Sequence, residues 1–559
     1  MIEAQEVQPT KPATSTTSGV AWLLGIALVL FVVATSVNPV PESDLFWQLR
    51  TGRWIIDHHA VPHADAYSWT QTGTRWVVHE WLTFVIFDRL FTAFGFGGLY
   101  FYVAALIGST FALLYRRLLR ETGSPLTSFG LGMLAATLTG PFFQPRPQLF
   151  TYLFIVLTVD LLLEARRAGG KSRLWLLAPL YVLWANLHAG VLVGVGILGW
   201  FVIVDAVSSR LPGAAGMAPG KRMPIGPVVA CLAATLVTPY GIHEFQDFAA
   251  TISNTTMLNL LAEWASPDFH QAYGKQVEVI LAVLAYAMFS TRLRRDPAES
   301  MLLVGLVYEA LAANRNVPLL ALIGTVFVAR HLQSALAGHL FHADVAEETS
   351  VIGLRPPGSI LFVMSIAVVL YGFKQASDSI RAFGPSTGST LSKIGRTIVV
   401  DGIYPDKACA FIEREQFPAT MHLFNMYDQG GFLIWRMPDR PVFIDSRADV
   451  YFGGMLDEYR KIDNLTYGWR GLSAKHGVDL IIASDSERQV QQYLPASDWA
   501  LVYADDGDLS RRMEDEGKTN TLIFIKRDPQ YSELIAKCRR DCPAYADVLK
   551  KYGQWASVR

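Results

Sequence analysis

The chain of 559 residues has little of what marks a nucleic-acid binder or a nucleotide-dependent enzyme. Charged residues make up only 17%, the net charge is −1 and no Lys/Arg tract is present, which argues against an electrostatic nucleic-acid surface. There is no phosphate-loop lysine motif and no Cys-x-x-Cys. The glycines of Ala93-Phe94-Gly95-Phe96-Gly97-Gly98 follow no strand pattern, so they read as a turn. Cysteine is scarce: Cys231, Cys409, Cys538 and Cys542 stand without a zinc-type partner pair. A disulfide among the last three depends on whether they face an oxidising compartment.

Apolar residues are what the chain has in quantity, at 51% hydrophobic, 12% aromatic and a mean hydropathy of +0.27. They fall in blocks from Val20 to about Phe373, near the ~20 residues needed to cross a ~30 Å hydrocarbon core. Eleven segments read as spans: 20–37, 98–118, 126–143, 147–163, 174–187, 189–207, 225–240, 276–291, 299–313, 317–333 and 359–373. The pattern predicts a polytopic α-helical membrane domain over 20–373, with a polar, disordered cytoplasmic tail at 1–19 and a long first outer loop at 38–97. Residues 374–559 alternate strand-like runs (420–424, 442–444, 479–483, 500–504, 521–525) with helical ones (455–462, 469–476, 487–493), which predicts a small extramembrane α/β domain.

A twelfth apolar stretch, Val77 to Phe94, carries His79, Glu80, Asp88 and Arg89 and reads as an interfacial or re-entrant helix. Leaving it out of the count puts Arg116, Arg117, Arg120, Arg166, Arg167, Lys171, Arg173 and further basic residues in cytoplasmic loops. Beyond residue 94 the outer loops then hold only Arg146, Lys275 and Arg315. The N-terminus is thus expected in the cytoplasm and the C-terminal domain outside, as in an integral protein of a bacterial inner membrane.

That parity gathers Asp44, Glu80, Arg146, Asn186, His188, Glu263, Asp268 and Arg315 on the outer face. The stretch Asp44–Leu82 packs four histidines, four acids and five tryptophans, which suits a loop lying on the membrane surface. Asp44 serves either as a helix N-terminal acid or as a general base taking a proton from an acceptor. Glu80, beside His79 and flanked by Trp76 and Trp81, is either a snorkelling surface acid or a second functional carboxylate. Asp44 and Glu80 together are candidates to hold a divalent cation, Mg or Mn. His58, His59 and His63 read as solvated rather than as ligands. Arg146, held between prolines in Gln-Pro-Arg-Pro-Gln, and Arg315, in Asn-Arg-Asn, are candidates for a phosphate through their planar donor forks. Asn186 and His188 suit substrate hydrogen bonding and inter-helix bonding equally. Asp428 in Asn-Met-Tyr-Asp-Gln-Gly-Gly and Asp445 in Ile-Asp-Ser-Arg sit in loops after strand-like runs, where ligand contacts are common, although Asp428 also suits a plain turn.

The first-loop acid, the amphipathic loop helices, the spans and the outer arginines resemble the GT-C membrane glycosyltransferases. These include protein O-mannosyltransferases, lipid A aminoarabinose transferases and the catalytic subunit of oligosaccharyltransferase. Tyr427-Asp428-Gln429-Gly430 stands where the last of these has Trp-Asp-Tyr-Gly, and Leu45 stands where the O-mannosyltransferases have the second acid of an Asp-Glu pair. The resemblance implies that Asp44 is catalytic. It also implies a sugar donor linked to a polyprenyl phosphate or diphosphate, and a protein, lipid or glycan acceptor at the outer face. His79, Asn186, His188, Glu263, Asp428 and Asp445 would then contact substrate. Transfer of a whole glycan, as by an oligosaccharyltransferase or polymerase, is the alternative within that class; a transporter or lipid flippase is the alternative outside it.

Overall fold

Local chemistry decides where several helices begin. Ser124 and Asp296 accept backbone N–H groups at the starts of Pro125–Thr139 and Pro297–Ala312, and a proline opens each helix. The computed structural model describes residues 15–37, 42–168, 173–208, 223–253, 262–340, 358–382, 404–451, 454–484, 498–504 and 521–541. Among them four helices are long and apolar enough to cross a membrane: Phe96–Thr122, Gln148–Arg167, Ala272–Ser290 and Asn314–Ala337. Gly19–Thr35, Val191–Val207 and Ile225–Ala234 are apolar but shorter. Among the described residues, length and composition confirm four of the eleven predicted spans.

Two of the predicted runs are broken locally. The run 174–187 divides into a 3-10 turn, Arg173–Leu176, and the helix Leu177–Leu187, while 225–240 is α-helical only over Ile225–Ala234. Non-helical backbone at membrane depth is tolerated where protein covers it.

The two ends of the bundle differ in chemistry. Gln148–Ala168 spans 21 residues, about 30 Å of helix, with Arg146 just before it and Arg166 and Arg167 in its last turn. At the latter end Arg116 pairs with Asp160 at 2.6 Å, Arg120 with Glu164 at 2.8 Å, and buried Arg166 with Asp205 at 2.7 Å and Asp296 at 2.8 Å. The candidate site lies at the other end.

After the first helix, α1 (Ser15–Thr35), come α2 (Ser43–His58) and α3 (Trp81–Phe94). The predicted interfacial helix thus starts only at Trp81. Its 14 residues reach about 21 Å, short of a ~30 Å core. It packs closely on α2: a Cβ on Gly52 would fall 2.0 Å from the Phe84 carbonyl oxygen.

In the C-terminal part four strands, β1 (Leu423–Phe424), β2 (Leu480–Ser484), β3 (Trp499–Ala504) and β4 (Thr521–Lys526), form one sheet in the order β1-β2-β4-β3. β1 and β2 are parallel and the other pairs antiparallel. The helices Met455–Asp463 and Trp469–His476 match two predicted runs; 487–493 lies outside the described residues. The run 442–444 is no strand of this sheet. Val442 bridges Ser68 of the first outer loop instead, with Trp69 N–H to Val442 O and Val442 N–H to Tyr67 O both at 3.0 Å.

That bridge belongs to a larger contact. Asp65 from the loop and Asp445 both bind the fully buried Arg447 at 2.7 Å, and the guanidinium lies 4.4 Å from the Trp76 ring centroid. Phe46 of α2 meets Phe432 edge-on at 5.1 Å, on the helix Tyr427–Arg436. Gly430 and Gly431, predicted as a turn, lie inside that helix. A Cβ on either would fall 2.2 Å from a carbonyl oxygen, of Ile444 and Ser43 respectively, so the glycine pair serves close packing.

Candidate active site

Asp44 lies in the first turn of α2, but the capping work is done by Glu42, whose carboxylate accepts the Asp44 N–H at 3.4 Å. This leaves the Asp44 carboxylate facing the site. Its Oδ1 accepts from Trp47 Nε1 at 3.1 Å, and the same indole reaches Ser446 Oγ at 3.1 Å. Ser446 O in turn accepts from Tyr427 OH, so the C-terminal domain helps fix the indole that holds Asp44.

Glu80 immediately precedes α3 and makes no side-chain cap. Its carboxyl is pushed up to about 8, first by burial and further by the charges of Asp44 and Asp449, against the pull of His79 and Arg315. The side chain is still 23% exposed, recessed rather than sealed. On its other flank His188 Nε2 stands 3.4 Å from Glu80 Oε1.

The orientation of His188 follows from its second nitrogen. The Gly190 N–H donates to His188 Nδ1 at 2.9 Å, and Thr151 Oγ1 lies 2.7 Å from it. Thr151 Oγ1 already accepts from Trp184 Nε1 at 3.0 Å, so its own proton is free to go to Nδ1. With Nδ1 an acceptor, the proton of a neutral ring sits on Nε2 and points at Glu80. Burial, then the charges of Arg315 and His79, hold the imidazole neutral, down to about 3.

The remaining candidates divide clearly. His79 Nδ1 is 3.6 Å from Glu244 Oε1; burial opposes its charge, but Glu244, Asp449 and Glu80 outweigh that and raise it. Arg146 pairs with buried Glu42 and places Nη1 2.8 Å from Glu263 Oε2. Arg315 Nη1 reaches Glu263 Oε1 at 3.2 Å and stacks over the Trp264 ring at 4.4 Å. Asp428 lies in the first turn of Tyr427–Arg436, its carboxyl raised first by loss of solvent and then by the Asp44 charge.

Three residues sit apart from this group. The Asn186 amide is used within the bundle, accepting from Trp81 Nε1 and donating to Val182 O and Val237 O, all at 2.8 Å. Asp445 is fully buried, its carboxylate taken by Arg447 and by Tyr451 OH at 2.6 Å. Asp268 accepts the His270 N–H at 2.9 Å in its own turn. Glu42, Glu244 and Asp449 were not anticipated. Asp449 was within reach of sequence reading, since Asp-Ser-Arg-Ala-Asp repeats an acid four residues after Asp445.

The result is an acidic cluster of Asp44, Glu80, Asp449 and Asp428 facing a basic pair, Arg146 and Arg315. One side can accept a proton and the other can bind an anion. Among the described residues no three His, Cys, Asp or Glu side chains come together as a metal-binding set.

A solved structure of the Archaeoglobus fulgidus oligosaccharyltransferase, tethered to an acceptor peptide containing the NVT sequon, superposes with a TM-score of 0.52 at 12% identity. It covers 83% of this chain and 69% of that one. The chain has a GT-C-like fold. The apo form of the same protein and its complex with Zn and sulfate align at 0.48 and 0.46, with 12% and 11% identity, over 83% of this chain and 69% and 68% of theirs. No protein-family model and no curated protein matches. At these identities the likeness concerns the GT-C-like fold alone; the roles of individual residues rest on the geometry above.

Proposed function

We propose that the protein is an integral membrane glycosyltransferase that moves a sugar from a polyprenyl-phosphate carrier to an acceptor at the outer face of the membrane. The observation that carries this reading is the opposition of the Asp44–Glu80 acids to the Arg146–Arg315 pair, at the end of the bundle away from the paired arginines. In the transfer an acceptor hydroxyl or amine attacks the anomeric carbon, and Asp44 takes its proton. The bond from that carbon to the phosphate oxygen breaks, and the phosphate leaves with the electron pair toward Arg146 and Arg315. Glu80, oriented by the Nε2–H of His188, positions the acceptor. Inversion at the anomeric carbon follows from a single displacement.

The reading carries a topology with it: up to eleven crossings of a bacterial inner membrane, residues 1–19 inside and 374–559 outside. The acceptor peptide carried by the neighbour of like fold supports a protein acceptor, and transfer of a whole glycan is the alternative within this reading. A flippase would need charges along a path through the bilayer, whereas the site residues gather at one end. Purified protein in lipid nanodiscs, given a polyprenyl-phosphate-linked sugar, tests the reading. Asp44→Asn keeps an oxygen for Trp47 Nε1, so it should fold while losing transfer by about 10²–10⁴-fold; full activity in the folded variant removes the mechanism.

A further inference from the structure

One carboxylate serves both guanidiniums at the basic side of the site. Glu263 offers Oε2 to Arg146 at 2.8 Å and Oε1 to Arg315 at 3.2 Å. A phosphate bridging the two arginines would use two oxygens in the same way. The three side chains are 26–30% exposed, so a solute or a headgroup can reach them. Partial loss of solvent opposes its charge, but the two arginines outweigh that and hold the Glu263 carboxyl low, so it meets them as an anion.

Each arginine also has a second hold that does not involve Glu263. Arg146 is paired with buried Glu42, and its carbonyl accepts from Tyr102 OH at 3.0 Å. Arg315 lies on the ring of Trp264, the neighbour of Glu263 in the turn Ala262–Trp264, and the Asn314 N–H fixes its loop to Ala265 O at 2.9 Å. The guanidiniums therefore keep their aim when the Glu263 side chain alone swings aside.

We propose that Glu263 is a stand-in for the donor's phosphate. In the free protein its carboxylate fills the anion position between Arg146 and Arg315. The phosphate of the lipid-linked donor displaces it, and its return after transfer expels the carrier phosphate. This rests on the reading that the two arginines bind that phosphate.

The test is equilibrium binding and dissociation of a polyprenyl phosphate with the full-length protein in nanodiscs, with inorganic diphosphate and a phosphate-free polyprenol in parallel. Glu263→Gln should bind polyprenyl phosphate about two- to fivefold more tightly, the size of a lost partly exposed ion pair, and release it more slowly. Inorganic diphosphate should tighten in parallel. Equal or weaker binding by E263Q, with Arg315→Gln still losing affinity, overturns the stand-in alone. Tightening that extends to the polyprenol overturns it as well, since the gain would then come from the lipid chain. If neither Arg315→Gln nor Arg146→Gln weakens phosphate binding, the phosphate reading itself fails. Should E263Q not fold, Glu263→Asp, with a carboxylate of shorter reach, should tighten binding to a smaller degree.

Discussion

Replacing Glu80 with glutamine should stabilise the protein, and increasingly so as the pH rises. The carboxyl is held at about 8 in the fold against an ordinary value of 4.5, because burial and the charges of Asp44 and Asp449 oppose its ionisation. A carboxyl raised in this way binds more protons folded than unfolded between those two values, so its contribution to stability falls as pH rises through that window. The full shift corresponds to about 5 kcal/mol, of which only about 1 kcal/mol is felt near pH 5. Since the side chain is 23% exposed, about 3 kcal/mol at high pH is the working figure. The amide of the variant cannot ionise and still offers His188 an acceptor oxygen. The assay is thermal unfolding in detergent, wild type against E80Q, near pH 5 and near pH 9. The variant should melt clearly higher than the wild type near pH 9 and almost with it near pH 5. A gap of equal size at both values, or a wild type that gains on the variant as pH rises, would refute the reasoning, because Glu80 would then be an ion stabilised by its surroundings.

Gly190→Ala should disturb the His188 orientation, since a Cβ there would lie 2.2 Å from Thr151 Oγ1 and 2.6 Å from His188 Nδ1. We expect a cost of about 1–3 kcal/mol and a loss of transfer, whereas Gly196→Ala, with nothing within 4 Å, should be neutral in both assays. Arg447→Met leaves Asp65 and Asp445 buried without their partner and should cost about 3–5 kcal/mol, read as faster proteolysis of the C-terminal domain. For topology, Thr72→Cys should react with a membrane-impermeant thiol reagent on intact cells and Arg173→Cys only after permeabilisation, in a chain lacking its natural cysteines. The reverse pattern would invert the orientation.

The membrane character was legible because a bilayer demands long apolar runs, and those runs are plain in the sequence. Their interruption was not. The helix Ile225–Ala234 ends at Thr235, ahead of the break that Pro239 and Gly241 signal within and just after the predicted run. Asp44 and Glu80 stood out as acids beside tryptophans, and the structure brings them within electrostatic reach of each other. What fixes them was hidden, because it comes from distant segments: Ser446 on the Trp47 indole, and Thr151 and Gly190 on His188. The 442–444 run failed as a sheet strand for the same reason, its partner being Tyr67–Trp69 in the first outer loop. Asp445 resembled a ligand-contact acid until Arg447, two residues away, proved to be its partner. The cysteine pairing falls partly outside the described residues, since Cys542 is not among them.

A site that consumes a sugar carried on a polyprenyl phosphate, with Asp44 taking the acceptor proton, has to leave its mark on the cell's lipid-linked sugars. The direct measurement is mass spectrometry of lipid extracts from cells lacking the protein, complemented with the wild-type chain or with Asp44→Asn. A polyprenyl-linked sugar should accumulate without the protein, persist with D44N at wild-type protein levels, and clear with the wild type. Lipid profiles that are unchanged by the loss of the protein, or that D44N restores as fully as the wild type, would contradict this reading.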